Sequence, residues 1–150
     1  MNVVSKVVAT FFGVGYFPAA PGTAATAAGV GLIVLLKDIP FVQYSGLLFL
    51  LFAAGLVCSS YLEKALNQKD PGIVVIDEVV GIMIALMGLP LTWPVIVCGF
   101  FLFRALDMFK IYPINRFEAM PGGWGVMLDD VMAGLYTNII LSIAVRWAGL

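Results

Sequence analysis

No histidine occurs anywhere in the 150 residues, so no mechanism in this protein rests on an imidazole. Charge is nearly as scarce. Asp, Glu, Lys and Arg together make up 11% of the chain, less than half of the roughly 25% usual in soluble domains. With 62% hydrophobic residues and a mean hydropathy of +1.06, the chain has too little polar surface to keep a folded exterior wet. A water-soluble globule is thereby excluded. The net charge of −1 provides no basic face, and no nucleic-acid partner is expected. Cysteine is limited to Cys58 and Cys98, each alone in an apolar run without CxxC spacing. Both read as small packing residues.

What is present is a series of apolar runs in a chain long enough for one domain, residues 1–150. Lys6 followed by apolar residues 7–12 faintly resembles a signal peptide, but Gly13 and Gly15 interrupt the run. It is read as part of the working protein. Residues 3–17 are too short to cross a bilayer, which takes about 20 residues, and are expected to form an interfacial or re-entrant stretch. Five hydrophobic segments follow, at 21–36, 41–61, 73–89, 93–109 and 126–145. Pro21 stands where proline suits the first turn of a helix, and the Ala/Gly-rich run after it suits close helix packing in lipid. Residues 63–72 and 111–125, rich in charge, proline and glycine, are expected to be loops. The predicted fold is all-α: a polytopic, membrane-embedded helical bundle.

Lysine and arginine orient this bundle. With a cytoplasmic N-terminus, Lys6, Lys64, Lys69, Lys110 and Arg116 fall inside, and only Lys37 and Arg146 fall outside, as the positive-inside rule requires.

Five of the nine acidic residues lie within or beside apolar runs: Asp77 and Glu78, Asp107, and Asp129 and Asp130. A charge inside a membrane helix costs about 2.5–3.5 kcal/mol on insertion scales, which marks it as a functional candidate. In the expected topology all five collect in one layer near the cytoplasmic headgroups, with Arg104, Lys110 and the Pro21-Gly22-Thr23 helix entry. Five carboxylates against Arg104, Lys110 and Arg116 leave an excess of negative charge. Like charges about 4 Å apart repel by roughly 4 kcal/mol at an effective dielectric of 20. Protonation or a divalent cation must relieve this, and an all-carboxylate donor set suits Mg²⁺ or Mn²⁺. Adjacent helical residues point about 100° apart, so one member of each acidic pair is expected at the ion and the other to one side. Gly22 and Thr23 at a helix N-terminus, with Arg104 and Lys110, form a candidate site for a phosphate-sized anion.

Four segments carry a resemblance. These are residues 13–23 with Pro-Gly-Thr, residues 70–81 with Ile-Asp-Glu-x-x-Gly, Phe103-Arg104-x-x-Asp107-x-x-Lys110-x-x-Pro113-Ile114, and Gly122-Gly-x-Gly-x-Met-x-Asp129-Asp130-x-x-Ala-Gly134. Together and in this order they resemble the phosphatidylglycerophosphatase A family. Ile111 stands where that family has proline, and Ala24-Ala25 where it has Gly-Ser. The resemblance implies a Mg²⁺-dependent phosphatase of the bacterial inner membrane that converts phosphatidylglycerophosphate to phosphatidylglycerol near the cytoplasmic face. It makes Asp77, Glu78, Asp107, Asp129 and Asp130 the candidate catalytic carboxylates. Asp77, Glu78, Asp107 and Asp130 are the candidate metal ligands, and Gly22, Thr23, Arg104 and Lys110 the candidate phosphate contacts. Elimination agrees. Without histidine there is no phosphohistidine, neither cysteine begins a Cys-x5-Arg loop, and no Asp-x-Asp ends a strand, which leaves metal-assisted hydrolysis. The alternative is a carboxylate-lined transporter, which places polar groups at several depths, often near the midplane.

Overall fold

A computed structural model describes residues 3–148. Among them the chain forms seven α-helices and no strand: α1 (Val3–Ala9), α2 (Pro21–Leu35), α3 (Phe41–Leu66), α4 (Ile76–Leu86), α5 (Trp93–Phe109), α6 (Ile114–Glu118) and α7 (Gly123–Ala148). Their ends follow local chemistry. Pro21 opens α2 and Pro94 lies in the first turn of α5, where a missing N–H costs nothing. Asn67 closes α3 in the left-handed region at φ 48°, a conformation asparagine tolerates well. Gly122, at φ 63°, turns the chain into α7.

The centre of the bundle is α4. Ten of its eleven residues are buried, and it packs against α2, α3, α5 and α7. A helix apolar on every side belongs in such a position. Lipid tails are as apolar as leucine, so what holds it there is close packing. Against α7 the approach is glycine on glycine: a Cβ on Gly134 of α7 would overlap the carbonyl oxygen of Gly81 on α4, and one on Gly81 would meet the Asp130 carbonyl at 2.9 Å. At the far end of α4, Asn138 Nδ2 donates to the carbonyls of Ile84, Ala85 and Met87 at 2.9–3.1 Å. They lie where the helix stops and carbonyls run out of intrahelical partners, and that of Ile84 also accepts from the Met87 N–H at 3.2 Å.

Two helices, α3 and α7, are long and apolar enough to cross a membrane, and α2 is a shorter apolar helix. The expected third span, 73–89, is occupied by an α4 about 16 Å long at 1.5 Å per residue, roughly half of a bilayer core. Residues 73–75 stay outside the helix because they are held by the N-terminal stretch. Val75 N–H donates to the Ala9 carbonyl at 2.9 Å, and Gly15 lies flat on the Ile73 carbonyl, where any Cβ would collide. Two expected loops are also partly helical. Glu63 and Lys64 belong to the last turn of α3, because nothing breaks that helix before Asn67. Residues 111–125 contain α6 and the start of α7. Cys58 packs in the core as expected, whereas Cys98 lies on the exposed face of α5.

Candidate active site

The N-terminal turns of α2 and α4, the C-terminal end of α5 and the first turns of α7 meet at one end of the bundle. They enclose a cavity of about 260 Å³. All nine residues singled out from the sequence line it: Gly22, Thr23, Asp77, Glu78, Arg104, Asp107, Lys110, Asp129 and Asp130. The turns at residues 37–41 and 87–91 lie together around a different cavity, at the other end of α2 and α4.

The helix crossing sets the carboxylates. Asp77 and Asp130 each stand four residues, about one turn, before Gly81 and Gly134, so the glycine contact brings them level with each other at the cavity floor. One oxygen from each of Asp77, Glu78 and Asp130 lies within 4.8 Å of the others. Asp77 and Asp130 are buried, and Asp77 Oδ1, Glu78 Oε2 and Asp130 Oδ2 have no hydrogen-bond partner. A buried carboxylate oxygen left without a partner is costly. Three clustered carboxylates, each with such an oxygen, form a donor set that fits a small hard cation.

Asp77 and Glu78, adjacent in the first turn of α4, both bring a carboxylate oxygen to this cluster, although neighbouring helical residues point about 100° apart. The Asp129–Asp130 pair does divide. Asp129 Oδ2 accepts from Lys110 Nζ at 2.6 Å, and its Oδ1 accepts from the Asp130 N–H at 3.0 Å. Asp107 lies outside the triple, with its Oδ2 2.6 Å from Arg104 Nη1.

The cationic side of the cavity is Arg104 and Lys110. Arg104 Nη1 is 3.9 Å from Glu78 Oε1, and Lys110 Nζ is 3.1 Å from Glu118 Oε1 of α6. Arg104 Nε is buried without a partner. Gly22 sits against both groups: a Cβ there would overlap Glu78 Oε1 and crowd the Arg104 guanidinium at 3.2 Å. The first intrahelical bond of α2 runs from Ala24 N–H to the Ala20 carbonyl. The N–H groups of Gly22 and Thr23 are thus the positive end of a helix at the cavity wall.

Asp70 was missed from the sequence. It lines the mouth of the cavity, in the left-handed region at φ 46°, with its N–H held by Glu63 Oε1 at 2.9 Å. Partial burial of its carboxyl is the largest influence on it and raises its pKa. Lys110 pulls the value down, and Glu118, Glu63 and Asp107 push it up. An acidic residue in a polar loop carries no signal that sets it apart; the Asp70-Pro71-Gly72 turn next to the Asp77 segment was the only hint. Arg116, counted among the neutralising charges, instead lies over the Tyr112 ring at 5.3 Å and does not line the cavity. Six carboxylates therefore face two cations, a larger negative excess than the sequence suggested.

Comparison with known proteins agrees with the motifs. Residues 7–145 match the family described as Phosphatidylglycerophosphatase A. A putative phosphatidylinositol-3-phosphatase of Bacteroides thetaiotaomicron is 39% identical, the match covering 94% of this chain and 92% of that protein. Phosphatidylglycerophosphatase A of Escherichia coli is 35% identical over 94% of this chain and 84% of its own. The protein of that name from Haemophilus influenzae is 37% identical over 94% and 88%. No solved structure matches the chain. The match along residues 7–145, with relatives of this identity over nearly the whole length, places the chain in the phosphatidylglycerophosphatase A family.

Proposed function

We propose that the protein hydrolyses phosphatidylglycerophosphate to phosphatidylglycerol and phosphate, as one membrane-embedded phosphatase domain. The observation that carries this reading is the cavity. Three buried carboxylate oxygens without partners share the cavity with Arg104 and the positive end of α2, which sets a cation site beside an anion site. The terminal phosphate lies against Arg104, whose planar fork suits two phosphoryl oxygens, and against the Gly22 and Thr23 N–H groups. Gly22 has no side chain to block that approach. Asp107 fixes the guanidinium, and Asp129 fixes Lys110 at the rim.

Asp77, Glu78 and Asp130 would hold Mg²⁺ in this reading, with Asp107, which lines the same cavity, as the further ligand that the sequence motif offers. When bound, the ion supplies Lewis-acid polarisation of the phosphoryl group and a more acidic water. The carboxylates orient the water and receive its proton. Its oxygen forms the new bond to phosphorus, while the bond from phosphorus to the glycerol oxygen breaks and that oxygen takes up a proton. The net reaction consumes one water.

The chain crosses the bacterial inner membrane five times, with the short α2, α4 and α5 completed by their flanking segments. The N-terminus and the cavity face the cytoplasm, following the lysine and arginine distribution. The transporter alternative gains no support, since the charged residues of the helices collect at one end. The relatives' names differ in headgroup but share a lipid phosphomonoester, so the test uses both. Purified protein with Mg²⁺ is expected to release phosphate from phosphatidylglycerophosphate faster than from phosphatidylinositol 3-phosphate. A preference in the other direction would move the substrate while keeping the chemistry, and no release from either lipid would refute the reading.

A further inference from the structure

Below the polar cavity, the same two helices that form its anion side enclose an apolar groove of about 200 Å³. Its walls are Ala27 and Val30 from α2, and Trp93, Val97, Phe100 and Phe101 from α5. No titratable side chain lines it. We infer that this groove is the seat of one acyl chain of the lipid phosphomonoester whose phosphate occupies the cavity; the inference rests on the phosphatase reading above.

Three observations point to that occupant. The first is continuity. Ala27 stands one turn below Thr23 on α2, and Phe100 and Phe101 stand one turn below Arg104 on α5, so phosphate-binding and apolar positions lie on the same strip of each helix. The second is length. From Arg104 to Trp93 the α5 helix rises about 16 Å, close to half of the ~30 Å hydrocarbon core. A chain anchored by its headgroup at Arg104 therefore runs the depth of one leaflet and ends at the groove's far end. The third is shape. The α2 side offers only the short side chains of Ala27 and Val30, while α5 presents exposed Trp93, Val97 and Phe101. One wall is low and the other tall and aromatic, which leaves the trough open to lipid along its side.

A second apolar crevice between helices lacks this continuity. It lies along α3 at Ser45–Phe52, against Val80, Ile84 and Val131. One turn nearer the cavity, Met127 and Ile76, both buried, close on Gly55, where a Cβ would meet them at 2.8 and 3.2 Å. That seam is filled before it reaches the carboxylates.

The test uses the full-length protein in nanodiscs with a non-hydrolysable phosphonate analogue of the lipid, bearing a diazirine halfway along one acyl chain. Irradiation is expected to label peptides containing Ala27–Val30 and Val97–Phe101 several-fold more than the peptide containing Phe49 and Phe52. Excess unlabelled phosphatidylglycerophosphate is expected to suppress that labelling, and diacylglycerol, which lacks the phosphate, to leave it. Equal labelling of the α3 crevice, or indifference to the competitor, would mean that the groove holds only ordinary surrounding lipid and would overturn the inference. A kinetic arm compares long-chain and dibutyryl substrates. Ala27→Trp, which fills the groove, is expected to lower the ratio of kcat/KM for the long over the short chain by about tenfold or more. Val57→Trp, on the exposed face of α3, is expected to leave the ratio as it is. An unchanged ratio in Ala27→Trp would also overturn the inference. Wild-type protein releasing no phosphate from either substrate would sink the phosphatase reading instead, while the labelling pattern still judged the groove.

Discussion

Gly134→Ala adds one methyl group at the point where α7 crosses α4. The new Cβ would overlap the Gly81 carbonyl oxygen and stand 3.2 Å from both the Gly81 carbonyl carbon and Ile84 Cβ. Two of these three atoms are backbone, so no side chain can swing aside, and the helices must separate. Overpacking of this kind costs about 1–3 kcal/mol. The larger consequence lies one turn away. Asp77 and Asp130 are held level by this crossing, and with Glu78 they bring oxygens within 4.8 Å of one another. A displacement of ~1 Å in a catalytic constellation costs on the order of a hundredfold in rate. Gly134→Ala is therefore expected to cut phosphate release by about that factor while thermal unfolding in detergent falls by only a few degrees. Gly46→Ala serves as the control. A Cβ there meets nothing within 4 Å, and alanine is about 0.5–1 kcal/mol better than glycine inside a helix. It is expected to keep full activity. Gly134→Ala protein with wild-type rate and stability would refute the argument that this contact sets the spacing of the carboxylates.

Two further substitutions probe other parts of the arrangement. Arg104→Lys keeps the charge but loses the planar fork, and is expected to lower kcat/KM about tenfold to a hundredfold, the worth of one charged hydrogen bond; full activity would reduce Arg104 to a counter-ion. Asn138→Leu removes the donor that serves three carbonyls at the end of α4; that of Ile84 keeps the Met87 N–H at 3.2 Å, while those of Ala85 and Met87 lose this partner. It is expected to destabilise the protein by about 1–3 kcal/mol, measured as a lower unfolding midpoint, and an unchanged midpoint would mean that other groups satisfy the Ala85 and Met87 carbonyls.

The site was legible in the sequence because carboxylates in apolar runs contradict their surroundings. Asp77, Glu78, Asp107, Asp129 and Asp130 stood out for that reason alone, and the alternating direction of the helices brought them to one end. What the sequence does not encode locally is the direction of a side chain. Arg116 counted as a neutralising charge until the fold turned it onto Tyr112, and Asp70 was invisible because an aspartate in a polar loop contradicts nothing. The extent of α4 was hidden for a related reason. Residues 73–89 are uniformly apolar, so no period marks where the helix begins. Its start at Ile76 is decided by the pairing of residues 73–75 with Ala9 and Gly15, more than 55 positions away in the chain. The break at Asn67 rather than at Glu63 is a further case, since a charged last turn of a helix and a charged loop have the same composition.

If Asp77, Glu78 and Asp130 hold a divalent ion that the phosphatase reaction needs, turnover depends on that ion. Phosphate release from phosphatidylglycerophosphate by the purified wild-type protein, followed through addition of excess chelator and then of Mg²⁺, tests it most directly. Turnover is expected to stop and then return, Mg²⁺ to raise the unfolding temperature because only the folded state offers the site, and Asp130→Asn to lose both responses. Wild-type protein that hydrolyses the lipid at full rate in excess chelator would contradict it.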